Sequence, residues 1–288
     1  MEKIKKYAGI IFLAVLATCV GVIWYAVMHA EAHQDLTVSF FDIGQGDSIF
    51  IEAPDGNQIL IDGGPSSAVL AKLGKVMPFW DRSLDLVVLT HAHADHVAGL
   101  VEVLKRYYIG RILESGEAYS TPEYREWHDL IAQKNIPVTI ARAGEEIRAG
   151  AMRLSVLSPF ENYSGVSLKN PHDANVSTRL LYGSTSVMLM GDAEKPIEYI
   201  LVHGYRDMLA SDILKVGHHG SKTSTTEDFV RAVAPRYAVI SVGRKNRYGH
   251  PHQQTLDTLQ KLGIRIFHTD LDGDVTFISN GVSFLSEK

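Results

Sequence analysis

Hydrophobic and polar positions divide this chain into a long apolar opening and a body of short, punctuated segments. Lys3, Lys5 and Lys6 precede an uninterrupted apolar run from Tyr7 to Val27. Roughly twenty apolar residues suffice to cross a bilayer as a helix, and basic residues on the N-terminal side predict that this end stays in the cytoplasm. The alternatives are a cleaved signal peptide, with Ala30-Glu31-Ala32 as a small-residue cleavage site, a lipoprotein signal through Leu16-Ala17-Thr18-Cys19, and a buried core helix. A signal h-region usually runs about 7–15 residues, which this run exceeds. An uncleaved anchor is therefore the first reading and a signal peptide the second, and both export the remainder.

Residues 36–43, 48–53 and 57–62 read as strands, short and rich in β-branched and aromatic residues, with Asp55-Gly56-Asn57 as a hairpin turn. Residues 84–90 form a near-continuous apolar run, the pattern of a strand buried on both faces. Val97, Leu100, Val101 and Leu104 then recur at helical spacing. Further helices are expected near 122–134, 194–203, 225–233 and 253–262. Further strands are expected near 136–140, 151–157, 177–182, 185–190, 211–216, 237–242, 264–268, 273–278 and 282–285, with a long loop over 160–175. Sheets flanked by helices define an α/β layered fold, and sites in such folds collect outside the strand ends. The expected organisation is a membrane anchor or signal segment over 1–30 and one domain over 31–288.

Composition narrows the classes. Of 288 residues, 45% are hydrophobic and 21% charged, which excludes a disordered chain. The single cysteine, Cys19, lies in the apolar opening, so a disulfide framework and a thiolate metal site in the body are excluded. Residues 1–30 hold three lysines and one glutamate, so the remainder carries −7 against −5 for the whole. That balance speaks against nonspecific coating of nucleic acid and leaves room for a local basic pocket.

The main candidate for chemistry is Thr90-His91-Ala92-His93-Ala94-Asp95-His96, placed between the buried strand and the helix. Imidazole and carboxylate suit a divalent transition metal. His91 and His93 can chelate one ion, and Asp95 with His96, at the mouth of the helix, can face a second. This segment resembles the H-x-H-x-D-H signature of the metallo-β-lactamase superfamily. Asp42-Ile43-Gly44-Gln45-Gly46-Asp47-Ser48 and Leu60-Ile61-Asp62-Gly63-Gly64 precede it, and Gly191-Asp192-Ala193-Glu194, His218-His219-Gly220-Ser221-Lys222-Thr223-Ser224 and Asn246-Arg247-Tyr248-Gly249-His250-Pro251 follow in order. Together they are similar to the soluble metallo-β-lactamase-like domain of the ComEC competence family, over nearly all of residues 36–280.

The resemblance implies an αββα sandwich with the metals at one edge. It makes Asp192 the bridging aspartate and His218, in preference to His219, the late histidine ligand. The apolar strand before Asp192 agrees, since it carries a carboxylate to a strand end. Asp62 is expected to orient a ligand imidazole or to be a simple turn aspartate, and Asp47 to fix a tight turn. Many members of the superfamily add a histidine between the first cluster and the bridging aspartate. Here His128 reads as a surface residue, and the family's Asn-x-Ser pattern falls on Asn175 and Ser177 near His172. One imidazole fewer is therefore expected at the first metal, with one or two ions bound and manganese in contention with zinc.

On the substrate side, Ser221, Lys222, Thr223 and Ser224 precede a helix and offer either a phosphate cradle or an ordinary capping box with Glu227. Asn175 is a further candidate for substrate binding. Arg244, Lys245 and Arg247 add local positive charge, and His250 is a candidate to protonate a leaving group or grip a phosphate. Asp95 is expected both to ligate and to orient the nucleophile. The leading expectation is a metal-dependent phosphodiesterase or nuclease acting on single-stranded DNA outside the membrane, with DNA-uptake machinery as the partner that the resemblance implies. The alternatives are a hydrolase of a small extracellular ester, lactone, β-lactam or phosphocholine substrate, which the acidic balance favours, and a non-catalytic binding module. ComEC proteins carry many spanning helices and this chain has one hydrophobic span, so it cannot form a DNA channel alone.

Overall fold

The computed structural model describes the backbone of residues 2–29 and 35–287 and the side chains of residues 7–25 and 35–285. The candidate cleavage site at residues 30–32 and the side chains of Lys3, Lys5 and Lys6 lie outside the described residues. The chain divides into two compact units. The first is helix α1 (Glu2–His29), whose Tyr7–Tyr25 stretch has a mean hydropathy of 2.3 and is long and apolar enough to cross a membrane. None of that stretch is buried, which removes the core-helix reading.

The second unit begins at Asp35. Its first half runs β1 (Leu36–Phe40), β2 (Ile49–Glu52), β3 (Gln58–Ile61), α2 (Ala68–Val76), β4 (Ser83–Val88), α3 (Ala94–Arg106), β5 (Tyr108–Glu114), α4 (Pro122–Lys134) and β6 (Val138–Ile140). Its second half runs β7 (Glu146–Ala149), β8 (Met152–Ser158), β9 (Ser177–Tyr182), β10 (Thr185–Leu189), α5 (Lys195–Tyr205), β11 (Ile213–Lys215), α6 (Glu227–Val233), β12 (Tyr237–Ile240), α7 (Gln253–Lys261), β13 (Arg265–His268), α8 (Thr269–Asp272), β14 (Val275–Ser279) and β15 (Phe284–Glu287). One sheet has the order β15-β14-β1-β2-β3-β4-β5-β6 and the other β13-β12-β11-β10-β9-β8-β7.

Two sheets face each other across a core that includes Val38, Phe40, Ile51, Val187, Val239 and Phe277. Helices α2 to α4 cover the outer face of the first sheet around Leu60, Val97, Leu100 and Trp127. Helices α5 to α7 cover the second around Met188, Leu201, Phe229 and Leu259. The result is the expected αββα sandwich. The 84–90 run is buried from Leu86 onward because β4 lies between parallel neighbours β3 and β5 and beneath helices. Helix α3 packs so closely that Gly63 N–H donates to His96 O (2.8 Å) and Gly99 N–H donates to Gly64 O (2.8 Å). A Cβ on Gly99 would meet Gly63 O at 1.8 Å, so glycine is required there.

Strands β3 and β4 run parallel to each other, as do β10, β11 and β12. Their C-terminal ends deliver the loops starting at Asp62, Thr90, Met190, Val216 and Ser241 to one edge of the sandwich.

Candidate metal centre and cleft

The first half of the site follows β4 and opens α3. Asp62, at a left-handed φ of 57°, accepts hydrogen bonds from Thr90 N–H (2.9 Å), Thr90 Oγ1 (2.7 Å) and His96 Nδ1 (2.7 Å). Both Asp62 and His96 are fully buried. With its proton fixed on Nδ1, His96 turns Nε2 toward Asp192 Oδ1 (3.5 Å) and Asp95 Oδ2 (4.0 Å). His91 Nε2 lies 3.0 Å from His93 Nδ1 and 3.8 Å from Asp192 Oδ2. Glu117 supports the loop from behind, its Oε1 accepting the N–H of Ala92 at 3.1 Å.

The second half comes from the other sheet. Asp192 follows β10, and its N–H donates to Asn175 Oδ1 (2.9 Å). Asp192 Oδ2 faces His91, His172 (3.8 Å) and His218 (3.7 Å), while Oδ1 faces His96 and His219 (3.4 Å). His219 Nε2 also lies 3.4 Å from Asp95 Oδ2. Behind these rings, His219 Nδ1 donates to Ser241 O (2.9 Å) and lies 3.4 Å from Asp47 Oδ1. Glu194 Oε1 lies 3.3 Å from His218 Nδ1 and 3.7 Å from His172 Nδ1.

Burial opposes ionisation of Asp192, but His219 and His96 outweigh it and hold the carboxyl well below the usual range. The reverse holds for His219: Asp192 and Asp47 overcome its burial and push it up to about 10. Burial, with His172 and His96 close by, lowers His93 to about 4.

The residues fit a divalent metal. Nε2 of His96, His172 and His219 and Oδ1 of Asp192 are buried without a hydrogen-bond partner, an expensive arrangement unless something else satisfies them. Nitrogen and oxygen donors about 2.1 Å from a common ion in tetrahedral array lie about 3.4 Å apart, close to the spacings above. Two groups have the right composition: His91, His93 and His172, and Asp95, His96 and His219, with Asp192 between them.

Several expectations need correction. His172 was set aside as a loop residue. A 3-10 turn over Pro171–Ala174, capped by Asn170, carries it beside His91 and His93, so three imidazoles gather there rather than two. His218 was preferred over His219, yet both face Asp192: consecutive left-handed residues (φ 45° and 53°) send their rings to its two oxygens. It is His219 that groups with Asp95 and His96. Asp47 does more than fix a turn, since it is buried, paired with Lys215 and backs His219.

Asn175 was a substrate-binding candidate. It is wholly buried, donating from Nδ2 to Met190 O (2.8 Å) and Ser177 Oγ (2.9 Å) and presenting Oδ1 to Asp192 N–H, so it positions Asp192. The phosphate cradle before α6 is also corrected. Thr226 caps that helix, and the N–H groups of Thr225 and Thr226 are already held by Glu198. Ser221 is buried with its hydroxyl on Thr223 Oγ1 (2.9 Å), and Lys222 is exposed. His128 is half-exposed on α4, 3.8 Å from Glu114 Oε1.

An open cleft of about 420 Å³ stands over the centre. Gln45, Tyr119, Thr121, Tyr248 and His250 line it with His93, Asp95, His172, Asp192, His218 and His219, whereas Ser221, Lys222 and Asn175 do not. Burial, with His218 and His219 beside it, lowers His250 to about 4, so the ring is neutral at pH 7. Arg247 places its guanidinium 5.2 Å from the Tyr248 ring centre at the rim. Gln45 and Glu194 lie within the motifs that carry the resemblance without a role of their own there, whereas Tyr119 and Glu117 have no distinctive spacing.

Residues 41–244 match the metallo-beta-lactamase superfamily. The chain is 31% identical over 279 residues to ComE operon protein 3 of Bacillus subtilis, covering 90% of this chain and 35% of that protein. It is 28% identical over 250 residues to competence protein ComA of Neisseria gonorrhoeae, covering 86% of this chain and 33% of that one. It thus spans about a third of the length of these curated relatives. Among solved structures, the metallo-beta-lactamase fold protein YhfI of Bacillus subtilis superposes with TM-score 0.56 at 14% identity, covering 85% of this chain and all of that one. Igni18, a metallo hydrolase of Ignicoccus hospitalis, superposes with TM-score 0.53 at 18% identity, covering 84% and 98%.

Proposed function

The chain belongs to the metallo-β-lactamase superfamily and its domain is ComEC-like, and from that premise we propose that it is a metal-dependent phosphodiesterase that cleaves extracellular DNA. The observation that carries the reading is a full double set of donors around Asp192 at the floor of an open cleft with a cationic, aromatic rim. An open cleft admits a polymer, and a guanidinium over a phenol ring suits a phosphate next to a stacked base. The competence proteins among the relatives favour DNA.

His91, His93 and His172 would hold one divalent ion and Asp95, His96 and His219 a second, with the Asp192 carboxylate shared between them. Bound there, the ions supply Lewis acidity toward a phosphoryl oxygen and an acidified water. Three imidazoles at the first position suit zinc better than the expected deficit did. Asp95, partly open to the cleft, is placed to orient an attacking water by accepting its hydrogen bond. His250, neutral at pH 7, serves as an N–H donor to a phosphate or departing oxygen rather than as an imidazolium acid. Arg247 offsets charge at the rim. Helix α1 anchors the chain in the membrane, with the catalytic body outside.

The test uses the full chain in detergent, stripped of metal and refilled with zinc or manganese. Bis-p-nitrophenyl phosphate and single-stranded DNA are the substrates, with Asp95→Ala and His93→Ala as controls. Metal-dependent cleavage that both substitutions abolish, and that weakens with salt on DNA, is expected. Stoichiometric metal with no cleavage of either substrate overturns the proposal and leaves the small-ester, lactone and β-lactam reading that the acidic charge favours.

A further inference from the structure

The end of the body opposite the cleft is unusual in composition. Phe79 and Trp80, in the loop between α2 and β4, are 79% and 74% exposed and pack edge-to-face on each other, ring centres 4.7 Å apart. Tyr108 is 74% exposed and Val282 76%. Their positions follow from the strand register. Ser83 pairs with Tyr108 at the start of β4 and β5, and Tyr108 N–H donates to Arg82 O (2.8 Å). Three residues on, Leu86 pairs with Ile59, and the ladder runs through Ile51 and Val38 to Phe277, shortly before the turn after Ser279 that bears Val282. Four large apolar side chains therefore project at this end, while the loops that carry Asp62, His91, His93, Asp95 and His96 leave the opposite ends of β3 and β4.

Aromatic side chains bury about 150–250 Å² each when they find a partner, and Trp and Tyr favour the boundary between headgroups and acyl chains. The chain itself indicates which apolar surface is near. Strand β1 runs parallel to β3 and β4, because each is antiparallel or parallel to its neighbour in the order given. It enters the sheet at Leu36, which is at this same end. Only residues 30–35 separate that strand from α1, a span that reaches at most about 20 Å.

We propose that this end of the body docks on the surface of a phospholipid bilayer, with Phe79, Trp80, Tyr108 and Val282 seated at the headgroup boundary. The proposal rests on α1 being retained as a membrane anchor. Asp35, Asp55, Asp81 and Asp85 lie at this end together with Arg82 and with Lys75, Lys105, Arg106 and Lys134 in the last turns of α2, α3 and α4. With both signs of charge present, the aromatic side chains carry the contact, and zwitterionic phosphatidylcholine suits it. Strand β4 is six residues long, about 20 Å. Docking by its start lifts the cleft that distance from the bilayer and turns it outward, toward an arriving polymer.

The full chain is reconstituted into phosphatidylcholine vesicles with bromine at a shallow acyl position. Its tryptophans are Trp24, Trp80 and Trp127, and Trp127 is fully buried, giving a constant background. In the Trp24→Phe chain, loss of emission to bromolipid and protection from aqueous iodide are expected for Trp80. In the Trp80→Phe chain, loss of emission reports insertion of Trp24. Tyr248→Trp in a chain also carrying Trp24→Phe and Trp80→Phe reports the cleft and should remain open to iodide. Trp24 quenched with Trp80 still open to iodide overturns docking while leaving the anchor standing. Trp80 shielded from both quenchers overturns it in favour of a protein surface, such as a second copy. Quenching at position 248 in place of 80 reverses the orientation. An unquenched Trp24 shows that the anchor reading has failed first.

Discussion

His96 and His218 both aim Nε2 at Asp192 and both rest Nδ1 near a carboxylate, yet their surroundings differ. The His96–Asp62 contact is 2.7 Å and both side chains are fully buried. The His218–Glu194 contact is 3.3 Å, its side chains 20% and 19% exposed, and Glu194 divides its attention with His172. Without competing water, the first contact fixes tautomer and direction. The second sits beside the cleft, where water weakens it and small shifts are affordable. The half of the site on the first sheet is thus a rigid floor, and the half on the second is an adjustable wall facing whatever enters.

Removing the residue that joins the halves has the largest expected effect. Asp192→Ala leaves five imidazoles without the carboxylate they share, and Asp95 only on the side of His96 and His219. We expect loss of both ions in elemental analysis and hydrolysis at background. Retention of one ion with measurable activity would show that the halves operate independently.

A finer test compares the two backing carboxylates. Partners behind a ligand imidazole typically contribute about 10–100-fold in metal affinity. Asp62→Asn should fall at the upper end and Glu194→Gln near about 10-fold, measured by competition with a chromogenic chelator. Equal losses would remove the distinction between floor and wall.

How much of this was legible follows the same division. The floor occupies one turn of sequence, so His91, His93, Asp95 and His96 declared themselves through spacing, and the apolar run before them placed that turn at a strand end. The wall is gathered from residues 172 to 219. His172 enters only because Asn170 caps a short 3-10 turn, and His219 only because two consecutive residues adopt left-handed backbone. Neither device has a period. In the fold, most strands and helices stood out by alternation or helical spacing. The sequence reading assigned no element to α2, where Gly74 interrupts a short helix, or to β5, which combines exposed Tyr108 with Gly110, and β7 was not separated from β8. Gly110 is needed because a Cβ would meet Asp85 O at 2.8 Å, a packing demand unseen in one dimension.

Glu117 tests the rigidity of the floor through pH. It is buried, its Oε2 lacks a partner, and burial raises it to about 7 from an ordinary 4.5 despite the Ala92 N–H. Between those values the folded chain holds a proton that the unfolded chain has released, so stability falls as pH rises from about 4.5 to about 7 and the loss is complete above that. In metal-free chains Glu117→Gln should match the parent near pH 4 and exceed it at pH 8 by up to about 3 kcal/mol, read from urea midpoints. Parallel curves would mean that the carboxylate is satisfied within the floor after all.

The smallest effect belongs to the rim, where the wall meets solvent. Arg247 is exposed and held over Tyr248 only by its cation–π contact and a 3.1 Å hydrogen bond to the phenol oxygen, so its removal leaves the metal ligands in place. If it contacts one phosphate of a single strand, Arg247→Ala lowers the slope of log binding constant against log salt by about 0.7 and leaves hydrolysis of bis-p-nitrophenyl phosphate within about twofold, because one neutralised phosphate counts only on a polymer. Binding of fluorescent single-stranded DNA to the Asp95→Ala chain, titrated across salt with and without Arg247→Ala, gives the slope. An unchanged slope would take the DNA off this side of the wall, and a large loss on the small substrate would instead bring Arg247 down to the reacting phosphate.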